Sequence, residues 1–231
     1  MRLRYLIASI LSANAIVAGC TPSVPKETSS PTTLSSSEIV KPNDSKKDGI
    51  KAVGKPTETK SSQDSAQKFQ EVKIDGLKTY KHSSGLFQID IPNGWSPTDS
   101  SKPGEVILVW FDPTQNALIA VDIFKVPEGG SPDKLPELLQ TFLKATFGSK
   151  PGFSMENPTP QPDGSVQIIW GFDETVKGVT ARIQGNSFIS KQGDKASLLT
   201  TGAIEAQFPT LQDSFNKIVN SFKVDPATKI P

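Results

Sequence analysis

The sequence contains few of the residue types from which reactive sites are built. Among its 231 residues there is one cysteine, Cys20, and one histidine, His82. A catalytic nucleophile therefore has a single candidate histidine as its base, and neither a disulfide nor a cysteine-rich metal site can form within the chain. Gly-x-Ser-x-Gly, P-loop and Cys-x-x-Cys motifs are also missing from the sequence. These absences predict a protein that is not an enzyme and that binds no cofactor and no metal ion.

Neither sign of charge is in excess. The chain has 25 lysines and arginines against 24 aspartates and glutamates, which gives a formal net charge of +1. Nucleic-acid binding needs a basic surface that neutralises phosphates. The sequence therefore predicts no nucleic-acid partner. Its length leaves room for one domain of ordinary size after a signal is removed.

The N-terminus has the pattern of a secretory signal. Arg2 and Arg4 precede an apolar run, Tyr5–Ala18, which is followed by Gly19 and Cys20. A membrane-spanning helix needs about 20 apolar residues, and polar residues interrupt this run before it reaches that length. An ordinary signal peptide, or an uncleaved membrane helix with an incidental cysteine, is the alternative interpretation.

Val17-Ala18-Gly19-Cys20 resembles the lipobox of bacterial lipoproteins, in which an aliphatic residue, a small residue and Gly or Ala precede the cysteine. The resemblance implies that residues 1–19 are a lipoprotein signal peptide. It also implies that the thiol of Cys20 carries a diacylglyceryl group and that its freed amine carries a further acyl chain such as palmitate. Two or three acyl chains together hold a protein stably on a membrane. We therefore expect a lipid-anchored protein on the extracytoplasmic face of a membrane.

Residues 20–68 have the composition of a linker. Ser, Thr, Pro and Lys are abundant there, and no aromatic residue occurs between Thr21 and Lys68. Such a segment buries too little apolar surface to offset the entropy of ordering. We expect a disordered tether with an r.m.s. reach of about 40 Å, followed by a folded domain at residues 69–231. The alternative is a segment that folds on binding a partner.

From Leu77 onward the pattern changes to short strands separated by turn residues. In Leu86–Ile91 apolar and polar residues alternate, as in a half-buried strand. Val106–Phe111 and Ala117–Val126 are almost continuously apolar, which predicts a hairpin covered on both faces. The intervening turns are short, so neighbouring strands are expected to pair. Further strands are predicted at Val166–Phe172, Lys177–Ile189 and Ala196–Ala203.

Two helices are predicted from apolar stripes at helical spacing. We expect Asp133 rather than Ser131 to be the N-cap of the first helix, because this places Pro136 in the first turn. Thr210 and Asp213 have the spacing of a capping box at the start of the second helix. The first stripe comprises Leu135, Leu138, Leu139, Phe142, Leu143 and Phe147, and the second comprises Leu211, Phe215, Ile218, Val219 and Phe222.

This order of elements describes an α+β fold, an antiparallel β-sheet flanked by helices. Two stretches, Gly85–Trp95 and Ser214–Val224, resemble the PsbP-like family. Members of that family are extrinsic, lumen-facing proteins of photosystem II and their relatives, and its cyanobacterial members are lipid-anchored. The resemblance implies an α/β/α sandwich over about Leu77–Val224, a fold that a nuclear import factor and bacterial proteins of unknown role share.

Four positions with tryptophan or histidine are candidates for a site. Trp95, Trp110 and Trp170 lie in or beside predicted strands, where tryptophan is more often a core residue than a binding platform. His82 is flanked by polar residues near a strand end, and we interpret it as a surface residue rather than a metal ligand.

Carboxylates are the remaining candidates for catalysis, because a carboxylate pair can serve a glycosidase. Asp90 and the adjacent Asp173 and Glu174 are the candidates. Each lies beside a predicted turn or on the polar face of a strand. We interpret all three as solvated surface residues.

Arg182 and Asp122 are lone charges in predicted strands. Arg182 is the only arginine after the signal, and a guanidinium in a strand suggests a fixed bidentate partner. Asp122 interrupts an otherwise apolar strand, and burial of an acid without a partner is costly. We predict that the two residues form a structural ion pair. If they do not, Arg182 is the best candidate for binding an anionic ligand or an acidic patch on a partner.

Together these patterns predict a non-catalytic, lipid-anchored accessory or assembly protein. It would be a monomeric domain that binds a protein partner in a membrane complex, on the periplasmic or the thylakoid-lumenal face. An association with photosystem II is implied by the family resemblance alone. A carrier or sensor of a small ligand or lipid, with its ligand between sheet and helix, is the alternative, and a hydrolase is a third hypothesis.

Overall fold

A computed structural model describes residues 69–126, 131–176 and 178–231. The predicted signal, Cys20 and the predicted tether lie outside this part of the chain. The described residues form two α-helices, α1 (Leu135–Phe147) and α2 (Phe208–Ser221), and eleven strands. The strands are β1 Leu77–Lys81, β2 Phe87–Pro92, β3 Ser96–Asp99, β4 Glu105–Phe111, β5 Ala117–Lys125, β6 Ser154–Met155, β7 Thr159–Pro160, β8 Val166–Val176, β9 Val179–Gln192, β10 Lys195–Ile204 and β11 Lys223–Val224.

Hydrogen bonding divides the strands between two antiparallel sheets. The larger sheet has eight strands in the order β3-β4-β5-β10-β9-β8-β6, with β7 also paired to β8, and the smaller sheet has the order β1-β2-β11. The predicted pairing of sequence neighbours is confirmed for β4 with β5, for β8 with β9 and for β9 with β10. A long-range pairing of β5 with β10, which places Ala117 opposite Ala203, joins these hairpins into one sheet.

The larger apolar core lies between the smaller sheet, α2 and one face of the larger sheet. The strand β2 turns Phe87, Ile89 and Ile91 inward, as its alternating sequence predicts. Burial of each such side chain contributes about 1.5 to 3 kcal/mol. The helix α2 covers this core with Phe208, Leu211, Phe215 and Ile218.

The helix α1 covers the opposite face of the larger sheet. Its contacts include Leu198, whereas the core under α2 contains the next residue, Leu199, and successive side chains of a strand point to opposite faces. With a helix on each face, the predicted α+β class and the PsbP-like sandwich are confirmed. The predicted stripe of α1 is also confirmed, since Leu135, Leu139, Leu143 and Phe147 are buried and Leu138 and Phe142 are partly buried.

Both predicted helix starts are wrong, because a 3-10 turn precedes each helix. The Ser131 side chain accepts a hydrogen bond from the backbone N–H of Asp133 and so caps the turn Pro132–Lys134, which runs directly into α1. A second turn, Glu205–Gln207, leads into α2. Thr210 therefore lies inside α2, where its hydroxyl donates to the carbonyl of Gln207. Three-residue 3-10 turns carry no apolar stripe that sequence reading can detect.

The described residues before β1 also pack on the domain. Val72 is buried in the larger core, and its backbone N–H donates to the Gln207 side chain at 2.8 Å. None of the helices in the described part of the chain is long and apolar enough to cross a membrane.

Candidate functional site

The three tryptophans lie in the core, as predicted. Trp95, Trp110 and Trp170 are 2%, 0% and 3% exposed. The indole N–H of Trp170 donates to the Ser187 hydroxyl at 2.9 Å, which in turn bonds the Thr200 hydroxyl at 2.8 Å. These rings therefore supply packing rather than an exposed binding platform.

His82 is half-buried rather than fully exposed. Its ring stacks on Phe87 with the centroids 5.3 Å apart, and its Nδ1 lies 2.8 Å from the Ser84 hydroxyl. Burial lowers the pKa of His82, and the nearby Asp99 carboxylate partly opposes that shift. Among the residues that the structure describes, no three histidine, cysteine or acidic side chains gather in a way that would hold a metal ion.

The three candidate carboxylates each have a different partner. Asp173 pairs with Arg182, and Glu174 pairs with Lys150 at 3.2 Å. Asp173 and Glu174 are adjacent in β8, so their side chains point to opposite faces of the sheet. Asp90 accepts a hydrogen bond from the Thr79 hydroxyl at 2.7 Å. The interpretation of Glu174 as solvated is wrong, because its side chain is only 12% exposed.

The predicted ion pair between Arg182 and Asp122 is wrong, because Arg182 has other partners. It lies directly opposite Asp173 in the register of β8 and β9. Its Nη1 donates to the Gly152 carbonyl at 2.6 Å and to Asp173 Oδ1 at 3.3 Å, and its Nη2 donates to the Ser154 hydroxyl at 2.6 Å. The sequence suggests one fixed bidentate partner, whereas three acceptors on different residues hold the two terminal nitrogens of the guanidinium.

Two glycines make room for this guanidinium. A Cβ on Gly171 would lie 2.8 Å from the Ile183 carbonyl oxygen and 3.0 Å from Arg182 Nη2. A Cβ on Gly152, whose φ is +62°, would lie 3.2 Å from Arg182 Nη1. Any other residue at either position would displace the arginine or its partners. The two glycines are visible in the sequence, but the sequence does not show that they lie against Arg182. Their role can be recognised only when their neighbours in the fold are known.

Arg182 forms part of the wall of a polar groove of about 260 Å³ on the sheet face opposite α1. Its side chain remains 31% exposed, so some of its N–H groups face solvent. The groove is also lined by Ser154, Glu156, Gln184 and Glu205. Small-molecule pockets are mostly apolar, so a polar groove of this kind is more typical of a protein contact.

Asp122 is buried, as predicted, but without a counter-ion. It is 3% exposed, and neither of its carboxylate oxygens has a hydrogen-bond partner in the described part of the chain. Burial and, next, the neighbouring Glu105 raise the pKa of Asp122 to about 8, while Lys102 opposes the shift. Glu105 itself pairs with Lys102 at 2.6 Å. Sequence reasoning missed Glu105, which stands one residue before the predicted apolar strand.

Comparison with known proteins places this fold in a family. A family model described as PsbP matches residues 75–224. The chain is similar to cyanobacterial PsbP (CyanoP) from Synechocystis sp. PCC 6803, with 18% identity over 67% of this chain and 95% of that chain and a TM-score of 0.48. It is similar to the Ran-binding protein Mog1p of Saccharomyces cerevisiae, with 9% identity, coverage of 64% and 95%, and a TM-score of 0.46. It is also similar to LpqN of Mycobacterium tuberculosis, a protein involved in cell envelope biogenesis, with 16% identity, coverage of 65% and 91%, and a TM-score of 0.42.

No curated protein matches the sequence. The family model covers well over half of the chain, from just before β1 to the end of β11. The chain therefore belongs to the PsbP family.

Proposed function

We propose that this protein is a non-catalytic binding module, an accessory or assembly protein that lipid at Cys20 holds on the extracytoplasmic face of a membrane. The observation that carries the proposal is the polar groove around Arg182. In it, a partly exposed arginine is fixed in place on a rigid sheet. The partner is a protein of a membrane complex.

The geometry of Arg182 suits recognition of a partner. Three acceptors, on Gly152, Ser154 and Asp173, already hold its two terminal nitrogens. A side chain that is ordered before binding loses little conformational entropy when a partner arrives. Its remaining N–H groups and the amide of Gln184 line the same groove and can meet carboxylate or carbonyl oxygens of a partner loop.

Membership of the PsbP family supports a protein partner. We propose that this partner is a component of photosystem II. The lipobox at Val17-Ala18-Gly19-Cys20 supports the anchor. A flexible tether over residues 20–68 would give the domain a reach of about 40 Å. That distance allows the groove to meet an extrinsic surface above the bilayer.

Site-directed photocrosslinking tests this proposal. A photoreactive amino acid at Gln184, in the full-length anchored protein, is expected to yield one specific adduct in intact membranes, and Arg182→Gln should abolish it. The matched control places the same amino acid at Lys144, which is exposed on α1 beyond the opposite face of the sheet. Equal adducts from both positions, or none from Gln184, would refute the groove as the contact.

A further inference from the structure

The floor of the polar groove lies between two banks that belong to the same sheet. The floor is formed by β8 and β9, with Gly171, Arg182 and Gln184. One bank is the segment at β6, which carries Glu156 directly after the strand, and the other is the turn after β10, which begins with Glu205. Because β6, β8, β9 and β10 are consecutive in the sheet, the banks are three strand spacings apart. Their backbones are therefore separated by about 14 Å.

The backbone of each bank is fixed to the sheet. The N–H of Glu156 donates to the Ile169 carbonyl of β8 at 2.8 Å. The turn that begins with Glu205 follows Ile204, whose N–H donates to the Asn116 carbonyl at 3.0 Å. The places from which the two glutamate side chains extend are therefore set before a partner arrives, which lowers the entropic cost of binding.

The groove carries more negative than positive charge. Arg182 already pairs with Asp173 at 3.3 Å. Glu156 and Glu205 are both exposed, and neither forms an ion pair with another residue in the described part of the chain. Exposed glutamates are ionised at neutral pH. Two negative charges, one on each bank, are thus left to attract a partner of the opposite sign.

The width of the groove favours an extended segment of a partner over a helix. A helix with its side chains is about 10 to 12 Å across. The side chains of Glu156 and Glu205 project into the space of about 14 Å between the bank backbones and leave less room than a helix needs. An extended chain is narrower, and its backbone carbonyls can accept hydrogen bonds from Arg182 and Gln184.

We propose that the groove binds an extended, basic segment of the partner protein, whose lysine or arginine side chains pair with Glu156 and Glu205. This inference rests on the proposed binding-module function and names the chemistry of the partner. It assigns the exposed N–H groups of Arg182 to backbone carbonyls of the segment, because a guanidinium can only donate hydrogen bonds and every extended residue offers a carbonyl. The groove thus recognises charge at its banks and backbone at its floor.

Photocrosslinking from Gln184 in the full-length anchored protein tests this inference when the two groove glutamates are replaced. Glu156→Gln and Glu205→Gln each remove one charge and keep the size of the side chain. Each should lower the yield of the adduct about two- to fivefold, as expected for an exposed ion pair, and the double variant should lower it about tenfold. The matched control is Glu137→Gln, because Glu137 is an exposed glutamate of α1, beyond the opposite face of the sheet. It should leave the yield unchanged.

Sequencing of the crosslinked peptide by mass spectrometry is the second measurement. We expect a lysine or arginine within about four residues of the crosslinked position, because an extended residue spans about 3.3 Å. Replacement of that basic residue by glutamate should lower the yield at least about tenfold. Its combination with Glu156→Lys or Glu205→Lys should restore the adduct, which a mere loss of structure would not do.

The outcomes separate this inference from the proposed function. An adduct that requires Arg182 but forms equally well when both glutamates are replaced would overturn the basic segment and leave the binding module in place. A crosslinked peptide with no basic residue near the crosslink would have the same meaning. The absence of any adduct from Gln184 would refute the inference together with the groove as the contact. Thermal unfolding of each variant checks that the fold is retained.

Discussion

Gly171 lies directly beneath the guanidinium of Arg182, so close that a Cβ at residue 171 would come within 3.0 Å of Nη2. The absence of a side chain on β8 is what allows the arginine on β9 to lie flat across the sheet toward Gly152 and Ser154. The groove thus depends on a glycine as much as on the arginine.

Gly171→Ala should therefore disturb both stability and binding. The added methyl group would also press on the Ile183 carbonyl at 2.8 Å, and overpacking of this kind costs about 1 to 3 kcal/mol of unfolding free energy. Gly202→Ala in β10 is the matched control, because its nearest neighbour would lie at an ordinary 3.6 Å. Denaturant unfolding measures the difference. Equal effects of the two substitutions would show that Gly171 is not a tight position.

Substitutions at two ion pairs of β8 should affect partner binding and the free energy of unfolding differently. Arg182→Gln removes a partly exposed pair, for which a loss of about 1 kcal/mol or less is expected, but it should abolish crosslinking from the groove. Lys150→Gln removes a pair whose side chains are 17% and 12% exposed, and the loss should reach about 1 to 3 kcal/mol. Crosslinking should survive that change. A Lys150 variant that loses the partner while it remains folded would contradict this division of roles.

Asp122→Asn should stabilise the protein at neutral and alkaline pH. The pKa of Asp122 is about 8 in the folded state against 3.8 as the reference for the unfolded chain, so the folded protein binds the proton more tightly. Stability of the unaltered protein therefore falls as pH rises from about 4 to about 8, by about 1.4 kcal/mol for each unit of pKa difference. The asparagine variant has no such pH-dependent loss of stability. The difference in unfolding free energy between the variant and the unaltered protein should be near zero at pH 4 and largest above pH 8.

For Asp225 we expect the opposite dependence of stability on pH, and this residue serves as the comparison. Hydrogen bonds from the Thr228 hydroxyl and from the Ala227 backbone lower the pKa of Asp225. Its contribution to stability is present above the unfolded pKa and is lost as the pH falls. Urea unfolding of Asp122→Asn and Asp225→Asn between about pH 2 and pH 9 measures both effects. An Asp122→Asn variant that is less stable than the unaltered protein at pH 8 would exclude the raised pKa.

Cys20→Ala tests the anchor. If Cys20 is the lipid site, the substitution should move the protein from the membrane fraction to the soluble fraction, or leave it unprocessed in the membrane. The thermal unfolding of the domain should not change, because Cys20 lies outside the described fold. Mass spectrometry of the mature protein is the decisive readout, and an unmodified thiol on Cys20 would rule out lipidation.

The periodic parts of the fold were predictable from the sequence. The stripe of α1 and the alternation of β2 reflect burial on one face, and burial leaves a pattern in the order of residues. The partner of Arg182 was not predictable, because the apolar pattern of β8 ends near Phe172, whereas the strand continues to Val176. The sequence pattern therefore places Asp173 beside a turn, whereas the register of the longer strand places it opposite Arg182.

The orphaned state of Asp122 was equally invisible in the sequence. A buried acid predicts a partner only because an unpaired one is costly. Here the raised pKa provides another solution, since a protonated carboxyl carries no charge to bury. Which solution applies depends on the distance to Glu105 and Lys102, and those distances follow from strand register rather than from residue order.

A pull-down from solubilised membranes tests the binding-module proposal most directly. The bait is the full-length anchored protein, and the comparison is its Arg182→Gln variant at equal loading. We predict that the unaltered protein recovers one stable partner in near-constant ratio and that the variant recovers at least about tenfold less, a loss equivalent to about 1.4 kcal/mol. Recovery of no stable partner by the unaltered protein, or equal recovery by the variant, would contradict the account.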